Sequence, residues 1–415
     1  MENKLNIIKV SNSNDIMGVE FANGELTFKV PETFREEKNE SLNRRNLLLF
    51  VKSLSLSDTD TRPEFKKSDE EGGSWPIDSY LWVIRDYLEN GYYYNREKKY
   101  SSSEKGKIEW KKTLKNMPIV SDGNVIYDKL VTSVTTPSND LIAQIYRLCL
   151  KIAQARIGWV FGYTIFVDVN ITRSVAEMRH VLTNELASTF DDVKRLRFRH
   201  MQYILNSIEE KDVSNLQFSW LIRNYYHVYE TMVDKLLKGV SEKERRRYNP
   251  SGSWTMMGRA TKESSVLEPD TVLKQFGNTY IVDSKMYRYG ITGHVSDLPE
   301  SSSIQKQLTY GDHAMNNITH GDTVRNAFII PYNKEENPLR DGEYESLADG
   351  NLLHVGHAEG DWREKKSAHD KVYTYLIDFN YLLNNYNTSE NNTTLCLCKD
   401  IEEKIKADKK QQKGD

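Results

Sequence analysis

The segment VLEPDTVLKQFGNTYIVDSKMY, residues 266–287, constrains this chain more than any other. Two strand-like runs meet at Phe276-Gly277-Asn278, with Asp270 at one outer end and Asp283 and Lys285 at the other. Strand side chains alternate between faces, so Asp283 and Lys285 project from the same one. An even-numbered hairpin loop sets Asp270 opposite position 283 or 285 on that face, whereas an odd loop turns it to the other side. A salt-bridged sheet edge is one reading. The setting argues against it, because Ile281-Val282 precede Asp283 and Val272-Leu273 follow Asp270. In a buried setting two ionised carboxylates repel each other and lose hydration unless a cation sits between them. Carboxylates with a backbone carbonyl suit Mg²⁺, which keeps several waters, and Mn²⁺ is a possible substitute. A water acidified there becomes a nucleophile for a phosphodiester, while the metal and the Lys285 ammonium offset charge developing on the phosphate. Lysine keeps its charge near a reference pKa of about 10.4, which makes Lys285 a stabilising or positioning group rather than a general base.

The rest of the chain sets limits on that chemistry. At 415 residues it is too long for one ordinary core, so two or three domains are expected. With 38% hydrophobic and 28% charged residues it reads as a soluble protein. Its longest apolar run, IGWVFGYTIFVDV at 157–169, falls short of the roughly 20 residues a spanning helix needs. The amino terminus lacks the basic-then-apolar layout of a signal peptide, so a cytoplasmic location is expected. Cys149, Cys396 and Cys398 match no zinc or disulfide spacing and are expected to be reduced, structural thiols. A net charge of −3 leaves nucleic-acid binding to local patches. Two stand out: KRLRFRH at 194–200, and KERRRY at 243–248 with Arg245, Arg246 and Arg247. Each is either a solvated helix end or a phosphate-contacting patch.

The expected fold class is α/β (α+β), in four parts. Residues 1–138 form a β-rich N-terminal domain that docks a partner, contacts DNA, or both, with the loop around 53–73 mobile. Within it, Ile77, Leu81, Ile84 and Leu88 predict a helix ending at Gly91, and residues 91–116 predict a β-ribbon turning at Gly106. Residues 139–215 form a mainly helical bridge with one buried strand-like insert, and 216–385 carry the chemistry. Residues 386–415, Asn-rich and then Lys-rich, are expected to be disordered. Upstream of the hairpin, FSWLIRNYYHVYETMVDKLLKG (218–239) predicts one long amphipathic helix with Glu230 on a stripe with Tyr226, Val233 and Leu237. Downstream, SSIQKQLTYGDHAMNN (302–317) predicts another helix. NAFIIPY (326–332) and VYTYLIDF (372–379) then supply the remaining strands.

Pro269-Asp270 followed by Asp283-Ser284-Lys285 resembles the PD-(D/E)xK nuclease signature. Residues from about 216 to 385 resemble the nuclease domain of McrC-like restriction subunits, and more narrowly of LlaJI-type restriction endonucleases. The ribbon Gly106-Lys107-Ile108-Glu109-Trp110-Lys111-Lys112-Thr113 resembles a turn in the amino-terminal part of the same proteins, and nothing matches before residue 75. The resemblance implies a PD-(D/E)xK core at 216–385, in which a mixed sheet is flanked by helices. It implies metal ligation by Asp270, Asp283 and a helical Glu, here Glu230. A helical Gln near the site or the DNA backbone is Gln307, with Gln305 second. It further implies a double-stranded DNA substrate, an McrB-like AAA+ GTPase subunit and a cognate DNA methyltransferase, with no membrane involved. The chain contains no G-x-x-x-x-G-K-[ST], so any nucleotide belongs to that partner. The function expected is an endonuclease subunit of a McrBC-like, LlaJI-type restriction system acting in phage defence. Two alternatives share the fold: a non-catalytic DNA-binding adaptor that stimulates an NTPase, and a structure-specific repair nuclease that needs no GTPase. His354 and His357 near Asp361 lack the spacing of a known zinc site and are read as surface or core residues. The run Tyr92-Tyr93-Tyr94 stacks on bases or, more simply, packs a ribbon.

Overall fold

The computed structural model describes residues 4–11, 16–22, 25–57, 76–102, 106–116, 118–121, 124–127, 129–138, 141–161, 165–208, 218–318, 322–339, 351–363, 369–389 and 392–414. The loop expected around 53–73 falls, from residue 58 on, outside them. The chain forms two compact units, one of residues 73–218 and one built from residues 3–72 together with 219–415. The N-terminal segment therefore does not make one domain with residues 73–138, a correction to the expected boundary. The cause is a set of long-range polar contacts. Arg35 ion-pairs with Asp378 at 2.9 Å, its amide donates to Asn380, and Arg288 pairs with Glu32.

In the second unit a five-stranded sheet runs in the order Thr271–Gln275, Asn278–Ser284, Val324–Tyr332, Val372–Asp378, Leu352–Ala358. The outer pairs are antiparallel and the inner two pairs parallel. Every residue of the inner strands VRNAFIIPY and VYTYLID is buried, and all but the first of the third inner strand, NTYIVDS, as expected of strands covered on both faces. On one face lies the helix Ser301–Met315, whose Tyr310 and Ala314 pack on Val272, Ile281 and Val324. Gly311 brings that helix close, since a Cβ there would stand 2.5 Å from Asn326 Nδ2. On the other face lies the helix Thr393–Gly414. Its Glu402 pairs with Arg325 and accepts from the Tyr280 hydroxyl, and its Asp400 accepts from Tyr375.

That C-terminal helix corrects the expectation of a disordered tail. Its Lys-rich composition hides a stripe of Leu397, Ile401 and Ile405 at helical spacing, all three buried. A second, four-stranded sheet takes the order Lys4–Val10, Glu25–Pro31, Met17–Ala22, Phe218–Ile222. Residues 218–222 are thus a strand, and the helix expected over 218–239 spans only Tyr226–Leu237. Asn224 at φ 58° breaks the run, and FSWLI is the kind of aromatic, β-branched stretch that suits a pleated surface.

Among its described residues the first unit packs the helices Ile77–Asn90, Leu141–Ile157, Val175–Ser188 and Asp192–Asn206, with a short helix at Trp110–Thr113 and small sheets. The helix expected from Ile77 forms and closes at Gly91 with φ 75°. The expected ribbon turning at Gly106 does not: strands Asn95–Ser101 and Lys107–Ile108 each pair with Thr132–Ser138 and not with one another. Among the described residues the apolar insert after Ile157 is a 3₁₀ turn, Gly158–Phe161, followed by irregular chain in which Phe166 is exposed. Tyr93 is buried against Tyr146 and Phe198 of two helices rather than in the expected ribbon, whereas Tyr94 is exposed. In the KRLRFRH cluster, Arg197 is buried and doubly hydrogen-bonded to Asp86, both bonds at 2.8 Å. Among the described residues no helix is long and apolar enough to cross a membrane.

Candidate active site

Phe276 and Gly277 form a two-residue loop in which both residues take left-handed backbone angles, φ 54° and 72°. Such a turn twists with its strands and fixes their register. Thr271 pairs with Val282, so the next residue outward, Asp270, stands opposite Asp283. Of the two registers open from the sequence, the even-loop one is realised. The Ser284 amide donates to Asp270 Oδ2 at 2.7 Å, tying the two strand ends together. Asp283, 1% exposed, sends Oδ2 to an ion pair with the Lys285 ammonium. Its Oδ1 is buried and has no hydrogen-bond partner among the described residues.

The electrostatics of the cluster follow from that crowding. Burial, and then the charges of Asp283 and Glu230, push the Asp270 carboxyl well above the usual carboxylate range, against the pull of Lys285 and the Ser284 amide. Burial also raises Glu230, with Asp283 adding to it and His227 and Lys285 opposing. Burial lowers Lys285, but Asp283, Asp270 and Glu230 outweigh it and hold the ammonium above its ordinary value. Three acids and one lysine therefore act on one another at the sheet end. Glu230 is the loosest member, since its Oε2 is hydrogen-bonded to His227 Nδ1 at 3.1 Å. Among the described residues no three His, Cys, Asp or Glu side chains stand as a closed metal cluster. The expected trio of Asp270, Asp283 and Glu230 is accordingly not a preformed cage. A donor set of two facing carboxylates, one with an orphaned oxygen, still fits Mg²⁺, which is typically held by one or two carboxylates plus water and substrate phosphate.

Gln307 is fully buried, and its Nε2 donates to the Ile281 carbonyl at 2.8 Å and to Asn326 Oδ1 at 3.2 Å. It thus braces the strand that carries Asp283, two residues before that acid. Gln305, the second choice, is exposed. Arg245 donates to the Asp270 backbone carbonyl at 2.5 Å and lies 3.5 Å from Asp234, so it supports the hairpin. Arg246 pairs with Glu242, and Arg246 and Arg247 are exposed. Two residues escaped the sequence reading. Tyr310, one turn beyond Gln307, donates to the Glu268 carbonyl at 2.7 Å, and burial with the charges of Asp283 and Asp270 raises its hydroxyl. Asn326 links Gln307 to the His369 carbonyl. The i, i+3 spacing of Gln307 and Tyr310 was the available signal for the first. Elsewhere, His354 packs against Tyr375 and His357 pairs with Glu359, so neither joins a metal cluster.

Residues 21–342 match the family model described as LlaJI restriction endonuclease. The chain belongs to that family. This LlaJI-family chain is 24% identical over 268 residues to the Type II restriction enzyme BsuMI component YdjA of Bacillus subtilis (strain 168), covering 60% of itself and 57% of that relative. Among solved structures, it resembles a refined half-complex from a tetradecameric assembly of Thermococcus gammatolerans McrB AAA+ hexamers with bound McrC. That likeness has a TM-score of 0.40 at 12% identity, over 91% of this chain and 82% of that one. The McrBC complex of the same organism is also similar, with a TM-score of 0.25 at 12% identity over 55% of this chain and 68% of that one.

Proposed function

We propose that this LlaJI-family chain is the DNA-cleaving subunit of a McrBC-like restriction system. In this reading the five-stranded sheet is a PD-(D/E)xK core that hydrolyses phosphodiester bonds in double-stranded DNA with Mg²⁺. The observation that carries it is Asp283: a buried carboxylate with one oxygen on Lys285 and the other unpartnered, facing the strand end that bears Asp270. An orphaned anionic oxygen beside a second acid calls for a cation.

Asp270 and Asp283 would hold that cation, with Glu230 acting on it from the helix Tyr226–Leu237. A divalent cation bound there supplies positive charge to the phosphate and lowers the pKa of a coordinated water. Lys285 places its ammonium beside the same acids, where it offsets negative charge that grows on the scissile phosphate. The Ser284 amide fixes the orientation of Asp270, while Gln307 anchors the strand of Asp283 and Arg245 the backbone of Asp270. Leu308, Phe328 and Val372 pack together on the same face of the sheet as the bracing glutamine and keep its backbone from yielding.

The chain has no P-loop sequence, and the similar B. subtilis protein is named as one component of a restriction enzyme. Both support a reading in which a GTP-hydrolysing AAA+ subunit and a DNA methyltransferase act beside it. The test incubates the full chain with plasmid DNA and Mg²⁺, with and without an McrB-like AAA+ protein and GTP. Asp283→Ala and Lys285→Ala are each expected to lower the cutting rate by about a thousandfold. Cutting by both variants at the wild-type rate sinks the site. Cutting without any NTPase moves the function to repair, and binding without cutting moves it to an adaptor.

A further inference from the structure

A two-stranded ribbon, Ser251–Trp254 with Lys262–Val266, stands directly before the acid-bearing hairpin and is almost wholly exposed. It does not join the five-stranded sheet. Four or five residues per strand at roughly 3.4 Å each, plus the tip, carry it roughly 20 Å out. Its tip is ordered by chemistry of its own: Arg259 N–H donates to the Met256 carbonyl at 3.1 Å, Gly258 takes φ 71°, and Thr255 and Thr261 share a hydrogen bond at 3.0 Å. That turn pushes Met257 fully into solvent, with Met256 57% and Trp254 65% exposed. Three large apolar side chains on this arm are thus left largely in water.

The charges nearest the tip are cations. Arg259 lies at the tip, and Lys262 is paired in register with Trp254, whose ring lies across the ribbon from it. The ribbon's acid, Glu263, is exposed and stands below the tip, paired in register with Ser253. The base of the ribbon is clamped to the candidate site. Leu267 N–H donates to the Pro250 carbonyl at 2.9 Å, Tyr310 holds the Glu268 carbonyl, and two residues further on is Asp270, whose carbonyl Arg245 holds. Movement at the ribbon's base is thereby tied to the position of a candidate catalytic acid. A β-bulge between Ser251 and Ser253 adds twist, the device that re-aims ribbons next to active sites.

From this geometry, and resting on the nuclease reading above, we propose that the ribbon is a DNA-engaging arm. It enters a groove of the duplex beside the scissile phosphate, with Met256 and Met257 as an apolar wedge against a base step and Arg259 and Lys262 on the flanking phosphates. Apolar side chains, methionine among them, are the kind that part base steps from the minor groove. Duplex DNA is favoured over a protein partner because the apolar tip is flanked by cations and is continuous with the site that would cut DNA.

The test uses the full chain and a fluorescently labelled duplex pool of randomised sequence carrying 2-aminopurine, with Ca²⁺ in place of Mg²⁺ to hold back cutting. The double variant Met256→Ala/Met257→Ala is expected to bind about tenfold more weakly and to lose the 2-aminopurine signal of unstacking. Arg259→Ala is expected to reduce the salt slope of binding by about one. Circular dichroism melts matching the wild type show that the exposed tip can be changed without unfolding. Tip variants that bind and unstack the duplex as the wild type does overturn the proposal. So does unchanged DNA binding with lost stimulation by the NTPase partner, which would assign the ribbon to a protein. Asp283→Ala separates the two readings. If that variant still cuts while the tip variants lose DNA, the site assignment fails and the arm stands.

Discussion

Asp270 keeps its place at the sheet end because the Ser284 amide binds it, while burial, Asp283 and Glu230 all resist its charge. An asparagine there retains an acceptor for that amide and removes the repulsion. Asp270→Asn is therefore expected to abolish cutting and yet raise unfolding stability by about 1 kcal/mol near neutral pH without divalent cation. The sign follows from linkage. A carboxyl whose folded pKa is raised lends stability that is full below its unfolded value of about 3.9 and is lost as pH rises through the folded value. Urea titrations across pH should show the variant and the wild type converging in acid and parting as pH rises. A variant less stable than the wild type at neutral pH would show that the acid is held by something other than the amide.

The hairpin is the element that builds the site, and its turn sets the register. Phe276 occupies a left-handed position that side chains with a Cβ resist, and it is half exposed with little packing to compensate. Phe276→Asn suits the first position of such a turn and is expected to stabilise the chain by about 1 kcal/mol, read from the denaturation midpoint, with cutting unchanged. This element was also the most legible in the sequence. Asp270, Asp283 and Lys285 are close in the chain, so a period of two and an even loop were enough to bring them together. Arg245 and Tyr310 were not legible in the same way, because their partners, the carbonyls of Asp270 and Glu268, are met only after the helices dock. The strand at 218–222 was lost for a related reason: FSWLI continues into a helical pattern, and only pairing beside Met17–Ala22 decides its state.

At the scale of the molecule, the helix Thr393–Gly414 is structural. Deleting it uncovers Leu397's site and leaves the buried Arg325 without Glu402 and Tyr375 without Asp400. Loss of the Arg325 partner alone is expected to cost on the order of 3–5 kcal/mol. A truncation after residue 392 should accordingly melt far below the intact chain. Equal melting temperatures would mean that the tail adds nothing to the core. Composition concealed this helix, because the apolar residues that seat it, Leu397, Ile401 and Ile405, stand among many lysines.

The unit that bears the hairpin is discontinuous: residues 3–57 lie at one end of the chain and 219–414 at the other. A ribosome adding roughly 5–20 residues per second needs on the order of 20–70 s to travel from the first piece to the end of the last. Through that interval Arg35 waits for Asp378, and Ser53 for Tyr225. The intervening unit can meanwhile close on itself. The middle unit is thus complete before the unit that bears the hairpin, whose remaining strands and helices arrive only with residues 219–414.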